Sequence, residues 1–302
     1  MKKVSVILLD WNVRESFHSI DSLIQQTVPR HLYEIIWVEY YDRRPHQICD
    51  HVSKGNIDKW IVLNMKGMYN KHHMYNVGLL ASSGEIIVIS DSDALYSQTF
   101  FESIISTFEA HKDEKIVLYL DEVRSNNKSF YPFKNHKWED VMNAPGLINW
   151  DPVRRMPAGL TTNDDIIHLR NYGACFCAKR KSIIESGGFD EYHAYHCFTC
   201  GPYELGWRML NNGYKEIWHQ TEWLLHTWHP WIRPEIDIVG QTDRRGINLA
   251  ALVLRKMKRV LPFKENERIK KLRTSMSNVD NKKSSEITHS LIEIIANKIN
   301  SW

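Results

Sequence analysis

Asn76-Val77-Gly78-Leu79-Leu80-Ala81-Ser82-Ser83-Gly84-Glu85-Ile86-Ile87-Val88-Ile89-Ser90-Asp91-Ser92-Asp93 is the stretch on which the fold turns. Lys71–Ala81, which contains its start, has Met74, Val77, Leu80 and Ala81 on one side, the spacing of a helix. Glu85–Ser90 is a continuous apolar run behind Gly84 and reads as a buried strand. Asp91 and Asp93 follow one residue apart, so both can reach a single hard divalent cation. Open α/β sheets bind nucleotides at the carboxyl ends of their strands, where this pair falls. Alone, an Asp-Ser-Asp after a strand is equally a polar turn. Its flanks decide between the two.

Strand and helix patterns alternate around it. Val4–Leu9, Tyr33–Val38, Trp60–Leu63, Glu85–Ser90 and Ile116–Leu120 read as strands. Arg14–Thr27, Lys71–Ala81 and Gln98–His111 read as helices between them. This βαβα order implies a mostly parallel sheet with right-handed crossovers. Regularity lapses over residues 121–171, a segment punctuated by prolines and carrying Trp138 and Trp150. Irregular stretches of that length in a compact domain are commonly functional. Ala174–Ala178 and Trp223–Thr227 are further strands, and Lys179–Ser186, Tyr203–Asn212 and Arg245–Val260 further helices. Residues 264–285 are polar and read as a linker, and Ile287–Trp302 as an amphipathic helix. The expected organisation is one α/β domain over residues 1–260 and a basic C-terminal extension over 261–302.

Composition sets outer bounds. The chain has 302 residues, 43 % apolar and 25 % charged, the balance of a globular protein. No stretch approaches the roughly 20 apolar residues that span a bilayer. The apolar start stops at Asp10, too short for a signal-peptide core. Five cysteines, an odd number, suit a reducing compartment. Residues 251–302 carry 12 Lys/Arg against 5 Asp/Glu, whereas the first 250 carry 27 against 31. The basic charge is thus a tail on a mildly acidic body.

Three blocks fall in order: Val6–Asn12 with Glu34–Glu39, then Asn76–Asp93, then Gly173–Arg180 with Gly187-Gly188-Phe189-Asp190-Glu191 and Glu204–Arg208. Together they resemble the GT-A fold glycosyltransferases, most closely those of family 2, over about residues 3–230. The resemblance implies a GT-A fold, a nucleotide-sugar donor (a UDP-sugar first), a glycan or glycolipid acceptor, and Mn2+ or Mg2+ as cofactor. It places Asp91 and Asp93 on the metal motif, Asp93 as the direct ligand and Asp91 toward the ribose. Asp10 and Trp11 fall around the nucleotide, Asn76 in the donor-binding block, and Glu39 where the family has an acidic residue, usually Asp, on the base. His226-Thr227-Trp228-His229-Pro230 falls where many GT-A enzymes supply a metal-binding histidine, with His226 preferred over His229. One departure concerns the general base. The family's Glu-Asp pair is replaced here by Gly201-Pro202, and the nearest carboxylate is Glu204. Glu204 is either the base or a residue favouring its helix N-terminus electrostatically.

Other residues carry secondary readings. Cys175, Cys177, Cys197 and Cys200 could hold zinc, but Cys175 and Cys177 alternate along a strand and read as buried thiols. Arg244-Arg245 suits a loop closing over a diphosphate, and His72-His73 the start of a helix. The basic tail suits peripheral contact with an anionic membrane, which with the cysteine count points to the cytoplasm and the inner membrane face. No nucleic-acid partner is expected, and the oligomeric state stays open. Alternatives are a catalytically inactive sugar-nucleotide or glycan-binding protein, and a sugar-phosphate nucleotidyltransferase.

Overall fold

The computed structural model describes residues 2–132, 136–159, 170–196, 202–230 and 256–276. Ten strands run in chain order: β1 Val4–Asp10, β2 Tyr33–Glu39, β3 Lys59–Val62, β4 Ile86–Ser90, β5 Ala94–Leu95, β6 Ile116–Arg124, β7 Trp150–Asp151, β8 Met156–Pro157, β9 Cys175–Lys179 and β10 Lys215–His226. Eight α-helices accompany them among the described residues: α1 His18–Leu23, α2 His46–Ser53, α3 Lys71–Ala81, α4 Phe100–Ala110, α5 Trp138–Met142, α6 Arg180–Glu185, α7 Tyr203–Asn211 and α8 Glu267–Met276.

Eight strands form one sheet in the order β3-β2-β1-β4-β9-β6-β10-β5. The first four pair in parallel, β6 pairs in parallel with β10, and β9 runs antiparallel between β4 and β6. Side chains alternate between two cores. Ile7, Leu9, Ile36, Val38, Ile87 and Ile89 meet α3, α6, α7 and α8 through Met74, Leu79, Ile183, Leu205 and Ile269. Val4, Val6, Leu8, Ile35, Trp37 and Val88 meet α1, α2 and α4 on the opposite face through Ile20, Leu23, Ile48, Phe100 and Ile104. Coverage on both faces explains why these strands read as apolar runs and not as alternating patterns. A GT-A architecture, the expected fold class, is what this layering displays.

Three differences from the sequence reading have physical causes. The helix expected from Arg14 begins at His18. Residues 11–17 are held as a loop because Asp10 Oδ1 accepts from the amides of Val13 and Arg14, at 3.0 and 3.3 Å. Trp138 and Trp150 of the irregular segment, with Trp223 of β10, pack on a third small core of Leu95, Val123, Phe130, Val141 and Leu225. Residues 267–276 are helix and not linker. Ile269 and Arg273 of α8 turn inward, Ile269 into the core and Arg273 onto Glu265 at 2.7 Å. The proposed helix over 287–302, the part of the helix expected over Arg245–Val260 that precedes residue 256, Arg244, Cys197 and Cys200 lie outside the described residues, and residues 257–260 are turn and coil, not helix.

Close approach sets the seat of α7. A Cβ on Gly206 would stand 1.8 Å from Tyr119 Oη on β6, so only glycine lets the helix pack this near the sheet. The turn after α6 uses Gly187 and Gly188 at φ +85° and +68°, closing the helix with amides donated to Ile184 O and Ile183 O.

Candidate active site

A two-residue strand assembles the site. β5 follows directly on Asp93 and pairs antiparallel with the end of β10, setting Ala94 against His226 and Leu95 against Leu225. This register carries a histidine from late in the chain to the end of β4. Among the described residues, Asp93, His226 and His229 form a group whose ligand atoms all lie within 4.8 Å of one another. Asp93 Oδ2 is 3.6 Å from His226 Nε2 and 3.5 Å from His229 Nε2. Asp91 stands outside this group, so three of the four expected ligands converge.

The donor chemistry fits a divalent cation. One carboxylate oxygen with two imidazole nitrogens suits Mn2+ and its neighbours. The His229 ring is oriented for that task. Its Nδ1–H donates to Pro230 O at 3.0 Å, a carbonyl that only accepts, which leaves Nε2 as the nitrogen turned toward Asp93. His18 supports the same strand end: Nε2–H donates to Asp93 O at 3.0 Å while Nδ1 accepts from Ser16 Oγ. Burial holds His18 near pKa 4, in the neutral form these two bonds require.

Positive charge surrounds Asp93. Arg14 forms a short ion pair with Asp93 Oδ2, and its Nε donates to Ser92 Oγ at 2.6 Å. Burial opposes ionisation of Asp93, but Arg14 and His226 outweigh it and hold the carboxyl well below its usual range. His226 responds in kind: burial works against its charge, yet Asp93 lifts it to about 9. Asp91 behaves oppositely, raised to about 7 by burial and by the charges of Asp93 and Glu122. Lys71 Nζ lies 4.4 Å from the centre of the Trp11 ring, which stacks on Tyr69 at 4.8 Å.

At the ends of β1 and β2, Asp10 and Glu39 stand opposite each other in register. Burial, then Asp10, pushes Glu39 up to about 8. Its Oε1 accepts from Tyr41 N at 2.9 Å. Asp10 Oδ2 is buried without a hydrogen-bond partner among the described residues.

Two expectations are corrected by geometry. Asn76 is fully buried, and its amide clamps the turn after α6: Oδ1 accepts from Phe189 N and Nδ2 donates to Phe189 O, both at 2.8 Å. That is a structural role and leaves nothing to offer a donor. Glu204 is 2 % exposed and bound by Arg208, at 2.7 and 3.0 Å, and by Arg259. Burial would raise its pKa, but the two guanidinium groups hold it near 2. A carboxylate so occupied cannot take a proton from an acceptor hydroxyl. Cys175 and Cys177 are buried thiols with Sγ atoms 3.8 Å apart. Arg14, Lys71 and His18 went unread as site residues. The one available signal was Arg14, four residues beyond Asp10 in the loop that follows β1.

Residues 18–186 match the model of glycosyl transferase family 2, and the chain belongs to that family. No curated protein matches it significantly by sequence. Among solved structures it is similar to GalNAc-T7 with UDP, GalNAc and Mn2+, with a TM-score of 0.58 and 15 % identity over 99 % of this chain and 58 % of that one. It is also similar to S. aureus TarS 1–349 in complex with UDP-GlcNAc, with a TM-score of 0.55 and 13 % identity over 90 % of this chain and 71 % of that one. It is similar as well to another structure of S. aureus TarS 1–349, with a TM-score of 0.52 and 11 % identity over 74 % of this chain and 60 % of that one. At these identities the likeness is one of fold. The chain is a member of glycosyl transferase family 2 with a GT-A fold, and it spans about three fifths of the length of the first structures it matches.

Proposed function

We propose that this glycosyltransferase moves a sugar from a UDP-sugar to a hydroxyl of a glycan or glycolipid, with Mn2+ or Mg2+ held by Asp93, His226 and His229. The observation that carries this reading is the convergence of these three side chains at the carboxyl end of β4, where α/β sheets take nucleotides. Bound there, the cation would act as a Lewis acid and offset charge on the departing diphosphate. Arg14 and Lys71 add positive charge beside the same carboxylate end, which favours binding of a diphosphate. His18 and the Ala94–His226 pairing keep the three ligands in place. Asp91 stays available for the ribose side, as the resemblance implies. The UDP and Mn2+ seen with GalNAc-T7, and the UDP-GlcNAc seen with TarS, support the donor and metal classes.

No helix among the described residues is long and apolar enough to cross a membrane. The basic tail supports a cytoplasmic enzyme in peripheral contact with an anionic inner face, where a lipid-linked glycan would present its acceptor hydroxyl.

The test is a thermal-shift panel of nucleotide sugars with and without Mn2+, because a ligand of the native state alone raises the melting temperature by mass action. Stabilisation by a UDP-sugar that depends on Mn2+ is expected. Indifference to the metal across all donors contradicts the proposal. A second reading, an inactive sugar-nucleotide-binding protein, is favoured by the occupied carboxylate of Glu204 and by Gly201-Pro202. Release of UDP on adding acceptor separates the two, since a binding protein saturates without turnover.

A further inference from the structure

Three nitrogens face a single oxygen at this site. Asp93 Oδ2 receives Arg14 Nη1 in a short ion pair and has the two imidazole Nε2 atoms at 3.5 and 3.6 Å. A cation bound by Asp93 and both histidines would lie against the guanidinium, a like-charge contact in a poorly solvated place. Arg14 and the ion therefore compete for one oxygen.

The backbone of Arg14 is held, and its guanidinium is shared among Ser92, Asp93 and the Trp11 ring. Its amide is held by Asp10 Oδ1 at 3.3 Å, and its carbonyl accepts from Arg43 Nη1 at 2.8 Å. Its Nε rests on Ser92 Oγ, itself anchored to Leu9 O at 2.6 Å. The guanidinium lies 5.3 Å from the centre of the Trp11 ring, and the Lys71 ammonium lies 4.4 Å from the same centre. A diphosphate near these two cations offers the paired oxygens that a guanidinium binds in fork geometry.

We infer that Arg14 is the internal counter-ion of the metal site, holding Asp93 until a nucleoside diphosphate draws its guanidinium away and opens the carboxylate to the cation. The inference rests on the proposed metal-assisted function. Its consequence is a coupling: cation and nucleotide each bind more tightly when the other is present, and part of that coupling passes through Arg14. Arg14 is thus a positioning residue with a second function as a gate against unproductive metal binding.

Mn2+ titration followed by electron paramagnetic resonance, first without nucleotide, tests this on the full chain. R14M should bind Mn2+ alone at least about tenfold more tightly than the native protein, because the competent state is no longer masked. UDP should then tighten Mn2+ binding less in R14M than in the native protein. R14Q, which keeps a donor for Ser92, should behave alike and serves if R14M does not fold. D93N separates the failures. Loss of Mn2+ in D93N together with unchanged or weaker Mn2+ binding in both Arg14 variants overturns the gate and leaves the metal site standing. Native-like Mn2+ binding by D93N, or no Mn2+ binding by any of the proteins, removes the site and the gate with it.

Discussion

Two acidic residues of this protein, Asp93 and Glu204, are both paired with arginine, yet their surroundings set them apart. Glu204 sits on α7, sealed from solvent, with its oxygens bound to Arg208 and Arg259. Those arginines have further partners: Arg208 also donates to Ser186 O and to Gly188 O at 2.5 Å, and Arg259 to Asp190 at 2.8 Å. The network ties α7, the turn after α6 and the segment before α8 into one block. Asp93 lies at a strand end, with half-buried histidines around it and more positive groups than one oxygen can serve. A buried carboxylate with both oxygens taken up by guanidinium groups marks a structural joint. Surplus positive charge around a reachable oxygen marks a place that can exchange a protein partner for a ligand.

The largest expected effect comes from removing the open carboxylate. Asp93→Ala should lower transfer by ~10³-fold or more, equivalent to about 4 kcal/mol of lost transition-state stabilisation, while the thermal melting profile stays cooperative. Activity within about tenfold of native would break the distinction on the Asp93 side. Glu204→Gln should act in the opposite sense, on stability and not on Mn2+ binding. Leaving two buried guanidinium groups without a carboxylate costs about 3 to 5 kcal/mol, readable in urea unfolding. A Glu204→Gln protein of native stability but no activity would return Glu204 to the catalytic role.

Acid should expose the same joint. The Glu204 carboxyl sits near 2 in the folded protein against 4.5 for the free group. Its depressed value means the stabilisation is fully present above pH 4.5 and is lost as pH falls from 4.5 toward 2. The loss is on the order of 3 kcal/mol, and Glu204→Gln should flatten that part of the stability profile. A profile identical in the two proteins would contradict the pairing. The smallest effect concerns packing of the block against the sheet. Gly206→Ala should cost about 1 to 3 kcal/mol by overlap with Tyr119. Adding Tyr119→Phe, which deletes the overlapping oxygen, should recover most of it.

The fold was largely legible because its strands are apolar on both faces and its helices carry clear stripes. Asp91-Ser92-Asp93 and His226–His229 were legible for a different reason: the blocks around them fall in the order of the family that the chain resembles. What stayed hidden depends on contacts distant in sequence. The two-residue β5 has no periodicity, yet its pairing with β10 joins the two halves of the site. The α8 helix turns only Ile269 and Arg273 inward, so its charged composition reads as a linker. Asn76 and Glu204 have the residue types of a functional site, and only their partners, Phe189 in one case and Arg208 and Arg259 in the other, reveal joints. Arg14 was concealed by its loop. No local pattern says that a side chain after β1 will reach across to the end of β4.

Anomalous diffraction at the manganese edge, from crystals soaked with Mn2+ and UDP, tests the central claim most directly. The account predicts one strong peak per chain bounded by Asp93 Oδ2, His226 Nε2 and His229 Nε2, with UDP phosphate density beside it. UDP bound with no peak at these three atoms, or a peak on other ligands, would contradict it.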